Sequence, residues 1–170
     1  MKTRLIVTLF LLTLALSLSA QDATNRLRFP ATGFSIAPLE ASPGDEARKA
    51  LMMFLPASEN FAANVNVLIQ PYSGTIEEYT KVTLDAYKAN GMKVLQQKEI
   101  SRSVVVFEVT GEMDGRTLHW YSRAEKVAGR IYLATGTARE EDWPRQGAPI
   151  KNCVDSLRCE KTEPGSAPGK

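Results

Sequence analysis

The Asp114-Gly115 dipeptide constrains the fold more than any other feature of this sequence, because alternating apolar and polar residues flank it on both sides. Asp-Gly between two alternating stretches is the strongest short-range signal for a two-residue β-hairpin turn. Such a turn pairs Met113 with Arg116 and places Val109 opposite Trp120. A slip by one residue would move every side chain to the other face, so the pattern predicts the register as well as the hairpin.

The predicted register divides the side chains of this hairpin between two faces of a sheet. One face carries Val105, Phe107, Val109, Leu118 and Trp120. The other, mixed face carries Val106, Glu108, Thr110, Thr117, His119, Tyr121 and Arg123. We expect the first face to line a hydrophobic core, and we look for a binding surface on the mixed face.

A second turn at Ala128-Gly129 extends the mixed face onto the next strand. It places Gly136 opposite Tyr121, which predicts a shallow dip beside His119 and Arg123. Glycine inside a strand often marks close approach by another backbone or by a ligand. These four residues of the dip are therefore candidates for binding a ligand or a partner.

The remaining patterns add two helices and further strands. Strand candidates lie at residues 33–39, 50–57 and 63–70. A helix follows from Thr75, which forms a capping box with Glu78, and it ends at Asn90-Gly91. After a turn over residues 139–149, a closing helix carries Ile150, Cys153, Val154 and Leu157 on one side. Two helices and about six mostly antiparallel strands predict an α+β domain.

The N-terminal segment has the plan of a secretory signal peptide. Lys2 and Arg4 precede an apolar run over residues 5–16, and small residues at Ser19 and Ala20 provide a cleavage site. The run is short for a transmembrane helix, which needs about 20 apolar residues. We therefore expect export to the periplasm or the exterior without a membrane span, with a retained N-terminal anchor as the alternative.

The signal peptide is expected to cover residues 1–20 and a single domain to cover residues 21–159, beginning with a loose lead-in over residues 21–28. The polar segment 160–170, rich in proline and glycine, predicts a disordered tail. Residues 1–20 hold two basic and no acidic residues, so the rest of the chain is formally neutral. A neutral chain without a clustered basic face gives no reason to expect a nucleic-acid partner.

Several stretches together resemble the PsbP-like fold family: "NVNVLIQPYSGTIEEYTK" followed by "GMKVL", the paired hairpins, the "YLATGTARE" strand and the closing "IKNCVDSL" helix. That fold occurs in an extrinsic subunit of photosystem II, in a Ran-binding import factor and in exported bacterial proteins of mostly unassigned function. The resemblance spans roughly residues 33–157. It implies a central antiparallel sheet with helices on both faces, an α/β/α sandwich, and a non-catalytic docking or assembly role.

The sequence offers few groups for catalysis. His119 is the single histidine, and neither a nucleophile elbow nor a phosphate-binding glycine-rich loop is present. We therefore expect no metal site, no cofactor and no enzymatic activity. His119 is expected to be a partly buried sheet residue, with ligand contact as the alternative. Trp143 either packs under the closing helix or anchors a partner.

Cys153 and Cys159 are the two cysteines of the chain. An even number of cysteines in an exported protein favours a disulfide. Six residues of continuous helix, however, separate two Cα atoms by about 9 Å along the axis, which exceeds the reach of a disulfide. The sequence leaves two alternatives open: a bridge, if the helix ends near Leu157 and Arg158-Cys159 folds back, or a buried Cys153 with a free Cys159.

Two functions from different classes follow from these patterns. The first is a non-catalytic exported module that binds a protein partner in the cell envelope. The second is a small-molecule site, with or without catalysis, in the dip around His119, Tyr121, Arg123 and Gly136. The two differ in one observable: a helix that covers the dip leaves the second function without a location.

Overall fold

A computed structural model describes residues 27–29, 33–36 and 47–159 of the chain, which divides into two compact units at Gly44. The first unit contains two short antiparallel strands, β1 (Leu27–Phe29) and β2 (Phe34–Ile36). The second unit contains the remaining elements: β3 (Arg48–Phe54), β4 (Asn64–Pro71), α1 (Ile76–Ala89), β5 (Lys93–Ser101), β6 (Val104–Met113), β7 (Arg116–Val127), β8 (Arg130–Arg139), a 3-10 turn (Glu140–Asp142) and α2 (Trp143–Asp155).

The second unit is built on one six-stranded sheet with the order β3-β4-β8-β7-β6-β5, and every neighbouring pair of strands is antiparallel. The hairpin register is the predicted one: Met113 pairs with Arg116, and Val109 pairs with Trp120. Asp114 and Gly115 both have positive φ angles, 51° and 72°, as a tight hairpin turn requires. The α+β class and the antiparallel sheet are confirmed.

Helix α1 packs against one face of this sheet. Its start is fixed by the predicted capping box, in which Thr75 Oγ1 accepts from the Glu78 amide and Glu78 accepts from the Thr75 amide. The apolar stripe of the helix, with Ile76 and Tyr79 fully buried, contacts Phe107 and other inward residues of β6, β7 and β8. This face therefore holds the first of two hydrophobic cores.

Helix α2 packs against the opposite face and forms the second core. Ile150 and Val154 contact Val65, Val106 and Tyr121 there. The helix begins at Trp143, so the prediction of a turn over residues 139–149 was wrong. Pro144 lies in the first helical turn, where proline is accepted because the backbone N–H groups there have no helical partner, and Pro149 lies inside the helix.

The predictions for the two ends of the chain fall only partly within the described residues. The lead-in predicted for residues 21–28 is partly wrong, because Leu27 and Arg28 belong to strand β1. Of the strand expected at residues 33–39, the structure shows Phe34–Ile36. The signal peptide at residues 1–20 and the tail at residues 160–170 lie outside the described residues. The assignment of residues 21–159 to one domain stays a prediction.

Candidate functional site

His119 lies on β7 beneath helix α2, with only 3% of its surface exposed. Its ring stacks on the indole of Trp143, with centroids 3.8 Å apart and planes inclined by 13°. Both ring nitrogens contact carboxylates: Nδ1 lies 2.7 Å from Glu140 Oε2, and Nε2 lies 2.9 Å from Glu108 Oε1. Because an ionised carboxylate only accepts hydrogen bonds, simultaneous formation of both bonds requires a proton on each ring nitrogen.

Glu108 links this histidine to helix α2. Lys151 Nζ donates to its carboxylate at 2.7 and 2.8 Å. Burial pushes the pKa of Glu108 upward, but the hydrogen bonds from Lys151 and His119 outweigh that effect and hold its pKa below the ordinary value. Glu108 is therefore a satisfied anion, and it holds Lys151 of α2 and His119 of β7 together.

Tyr121 forms a second link between the sheet and α2. Its hydroxyl donates to the carboxylate of Asp155 at 3.1 Å, and Lys151 Nζ lies 5.2 Å from the centre of its ring. Burial raises the pKa of Tyr121 to about 12, and the Asp155 carboxylate adds to the rise. The phenol therefore stays protonated and serves as a hydrogen-bond donor.

Gly136 does not border an open dip in this structure. A β-carbon built on Gly136 would overlap Ile150 Cγ2, and it would lie 3.4 Å from Val154 Cγ2. Helix α2 therefore occupies the space that the absent side chain leaves. The close approach predicted for this glycine is made by a helix of the same chain.

Arg123, the remaining candidate on the mixed face, has a different environment. It lies on β7 opposite Ala134, and its Nη2 is 3.4 Å from Glu125 Oε2. Its Nε is buried and has no hydrogen-bond partner within the described part of the chain. The structure therefore brings His119, Tyr121, Gly136 and Trp143 together under α2, and it pairs Arg123 with its own strand.

The sequence interpretation missed three members of this cluster: Glu140, Lys151 and Asp155. Glu140 lies on the 3-10 turn, within the segment 139–149 that was predicted to be a turn. Lys151 and Asp155 lie on α2, in the part that was predicted to be the closing helix. The i,i+4 relation of Lys151 and Asp155 was the available signal, because it places both on one side of a helix.

An open polar cavity of about 480 Å³ lies beside this cluster, between the hairpin turn and the 3-10 turn. Its lining includes Arg139, Glu140 and Glu141. Arg139 Nη1 lies 2.6 Å from Glu141 Oε1 and its Nε donates to Asp142 Oδ2 at 2.8 Å, while Glu140 contacts His119. Arg139, Glu140 and Glu141 therefore have protein partners already, whereas Arg116, which also lines the cavity, has no ion pair within the described residues. One unpaired cation does not form a set of converging binding groups.

Both cysteines are free thiols in the structure, and each is half-buried. Helix α2 ends at Asp155, so Cys159 lies beyond it. Burial raises the pKa of the Cys159 thiol to about 11, with a further contribution from the Glu125 carboxylate. Of the two alternatives left by the sequence, the structure contains the unbridged one.

The edge strand β3 is the most unusual surface of the second unit. All seven of its residues are exposed, and among the described strands it pairs with β4 alone. Four consecutive apolar side chains, Leu51, Met52, Met53 and Phe54, are exposed to between 36% and 61%. A long apolar edge is a template for pairing with another chain, and proteins usually protect such edges with charges.

An apolar groove adjoins the C-terminal end of β3. It has a volume of about 190 Å³ and is lined by Met53, Phe54, Leu55, Asn64, Val65, Pro149, Ile150 and Cys153. Helix α2 forms its far wall, because Pro149, Ile150 and Cys153 belong to that helix. The edge and the groove together form a continuous surface, which we call the β3 surface.

Comparisons with known proteins inform the fold and leave the function open. No family model and no curated protein sequence matches the chain. Among solved structures it is similar to PA94 from Pseudomonas aeruginosa, a protein of unknown function proposed to be a regulator. That match has a TM-score of 0.56 and 17% sequence identity, and it covers 81% of this chain and 97% of the other. At this identity the match supports the fold alone.

Two further observations concern the described residues only. Neither α1 nor α2 is long and apolar enough to cross a bilayer. Within residues 27–29, 33–36 and 47–159, the side chains of His, Cys, Asp and Glu form no group of three or more that could hold a metal ion.

Proposed function

We propose that this protein is an exported, non-catalytic binding module of the PsbP-like kind, which holds an extended segment of a protein partner in the cell envelope on its β3 surface. The observation that carries the proposal is the exposed edge strand β3, with four neighbouring apolar side chains and a groove at its end. Addition of a strand to such an edge supplies main-chain hydrogen bonds, and adjoining pockets supply specificity.

The other edge of the sheet supports the choice of β3. Strand β5 also lacks a second neighbour among the described strands and exposes Val94, Leu95 and Ile100, but it carries charged residues at Lys93, Lys98 and Glu99. Charges distributed along an edge oppose its pairing with other chains. In β3 the charged residues are confined to the first two positions, Arg48 and Lys49, so the following residues lack this protection.

A catalytic role has less support than binding. The ionisable side chains around His119 are paired with one another, and helix α2 lies over them. Ile150 occupies the space at Gly136, which argues against the small-molecule site expected around His119, Tyr121 and Arg123. Export rests on the signal peptide predicted for residues 1–20.

Site-specific photo-crosslinking in the producing cells tests this proposal. A photoreactive residue at Met52 of β3 should give an adduct of one defined mass. The same residue at Val82, which is 62% exposed on α1, should give none. Leu51→Lys places a charge within the apolar edge and should abolish the adduct, whereas Val94→Lys on β5 should leave it intact.

A purified partner identified from this adduct must then bind the wild type and fail to bind Leu51→Lys. Circular dichroism should show that both charged variants are folded. Absence of adducts at every β3 position would overturn the proposal. Equal binding of the partner to the wild type and to Leu51→Lys would overturn it as well.

A further inference from the structure

We infer that the segment recognised by the β3 surface is antiparallel to β3, inserts one large apolar side chain into the groove, and carries acidic residues beside Arg48 and Lys49. This inference deepens the proposed function and rests on it. It specifies the partner segment chemically: an apolar anchor residue is followed, toward the C-terminus of the segment, by acidic residues.

The groove indicates the anchor. Its volume of about 190 Å³ is smaller than that of pockets for drug-sized ligands, which are about 300–1,000 Å³. It suits a single large side chain, and its walls are almost entirely apolar because Met53, Phe54, Ile150 and neighbouring carbon atoms form them. Asn64 is the polar residue of the lining. An aromatic or long aliphatic side chain is therefore the best match.

Unpaired charge indicates the acidic end. Arg48 and Lys49 are exposed, and neither forms a salt bridge with another residue of the described ranges. Within the described ranges, the sulfur of Met52 is the hydrogen-bond partner of Lys49 Nζ, at 3.9 Å. Strand β3 itself contains no acidic side chain, and the acidic residues closest to it in the sequence are Asp45 and Glu46, which precede it. A segment with acidic residues would therefore supply charges that the edge itself lacks.

The order of anchor and acid follows from strand geometry. Met53 pairs with Val65, and Arg48 pairs with Ile69, so both side chains point to the α2 face, where the groove lies. Lys49 pairs with Leu68 and points to the other face. A strand antiparallel to β3 runs from the groove toward Arg48. Its anchor lies opposite Met53. The irregularity between Lys49 and Leu51 adds one residue to β3, so the acidic residues opposite Lys49 and Arg48 follow about three and four positions after the anchor.

A second copy of this chain is a weaker occupant of the edge. Antiparallel pairing of two β3 strands about Leu51 would place Arg48 opposite Phe54 and Lys49 opposite Met53. Each cation would then face an apolar side chain and would gain no countercharge. A partner segment that carries acidic residues would form ion pairs with both Arg48 and Lys49.

A lipid surface is also a weaker occupant. An unpaired strand edge exposes backbone N–H and C=O groups that hydrocarbon cannot satisfy, at a cost of several kcal/mol for each group. The apolar side chains of β3 also point to both faces of the sheet, because Met52 pairs with Asn66 and Met53 with Val65. A peptide strand satisfies the edge and contacts both sets of side chains.

Fluorescence anisotropy with the full chain and four labelled octapeptides tests the inference. The reference peptide is Ser-Val-Thr-Phe-Thr-Val-Asp-Glu. Replacement of its Phe by Ala should weaken binding about ten- to a hundredfold, because burial of the anchor is lost. Replacement of Asp-Glu by Lys-Lys should weaken it about three- to tenfold at low salt. The peptide of reversed sequence should also bind at least threefold more weakly. When it lies antiparallel to β3, its acidic residues are at the groove and not beside Arg48 and Lys49.

Charge reversal in the protein provides the matched test. Arg48→Glu with Lys49→Glu should invert the preference, so that the Lys-Lys peptide binds more tightly than the acidic one. Lys98→Glu with Arg102→Glu makes the same change at the opposite edge and should leave the preference unchanged. All four positions are exposed, so both variants are expected to fold, and circular dichroism checks this.

Each other outcome has a definite meaning. Equal affinity for the acidic and Lys-Lys peptides overturns the inference. So does binding to phosphatidylglycerol vesicles without binding to any peptide, or dimerisation that Arg48→Glu with Lys49→Glu leaves intact. If photo-crosslinks at Met52 persist while the peptides show no preference, the inference fails and the proposed function stands. If the crosslinks are absent too, both fail.

Discussion

Gly136 of β8 and Ile150 of α2 are in contact so close that a β-carbon on the glycine would overlap Ile150 Cγ2. Glycine at this position is therefore what allows the closing helix to lie against the centre of the sheet. The same contact removes the dip that an absent side chain would otherwise leave. Position 136 thus decides whether this face of the sheet is a packing surface or an open one.

Substitution at this position should cost stability. Gly136→Ala forces a methyl group into Ile150 and should destabilise the fold by about 1–3 kcal/mol, as overpacking of a core does. Urea unfolding measures the change. Gly111→Ala is the matched control, because a β-carbon there would lie 3.3 Å from Met92 Cγ and 3.4 Å from Met92 Cα, without the overlap found at Gly136. Its effect should stay within about 1 kcal/mol.

A second substitution separates steric overlap from other causes. Leucine lacks the Cγ2 methyl of isoleucine, whereas valine keeps a methyl at that position. Ile150→Leu should therefore restore part of the stability lost in Gly136→Ala, and Ile150→Val should restore none. Equal effects of the two partner substitutions would contradict the proposed overlap.

Removal of the His119 imidazole should weaken the attachment of α2. His119→Phe keeps a flat ring for stacking on Trp143 but loses both N–H donors. It should destabilise the fold by about 1–3 kcal/mol, since Glu108 and Glu140 each lose a partner. Glu99→Gln on the exposed edge strand β5 is the control and should change little. A neutral effect of His119→Phe would show that stacking alone positions the helix.

Acid should remove the contribution of Glu108 to the stability of the fold. Its folded-state pKa is lowered below the ordinary value of 4.5, so its stabilising effect is fully present above pH 4.5 and is lost as pH falls through the folded-state pKa. The difference in unfolding free energy between wild type and Glu108→Gln should be constant from pH 7 to about 5.5, and it should shrink below 4.5. Urea titrations at several pH values measure it. A difference that does not change with pH would contradict this role.

The parts of the fold that local patterns determine were predictable from the sequence. The Asp114-Gly115 turn fixes a register because a shift would exchange the two faces, and the structure has that register. The Thr75 and Glu78 capping box likewise gave the start of α1. In both cases the determining residues lie within a few positions of one another.

The candidate site was less predictable because its residues meet only through tertiary packing. His119 and Lys151 both contact Glu108, yet they lie far apart in the sequence and on different elements. The start of α2 was misplaced because Pro144 and Pro149 suggested a turn, and the interactions that stabilise the helix come from the sheet beneath it. The β3 surface was missed for a related reason: "ALMMFLPA" predicts a strand, but its position at an edge depends on the order of the whole sheet.

The reactivity of the two cysteines can be measured, and it distinguishes a disulfide from free thiols, which the sequence left equally open. The structure has both thiols free, and burial with the Glu125 carboxylate raises the pKa of Cys159 to about 11. In Cys153→Ser, the remaining thiol should therefore react with a thiol reagent about a hundredfold more slowly at pH 7.5 than an ordinary cysteine, and its rate should rise tenfold per pH unit up to about pH 10. Labelling of the wild type in guanidinium should add two groups. Addition of none, with an intact mass lower by two hydrogens, would show that the protein contains the bridge.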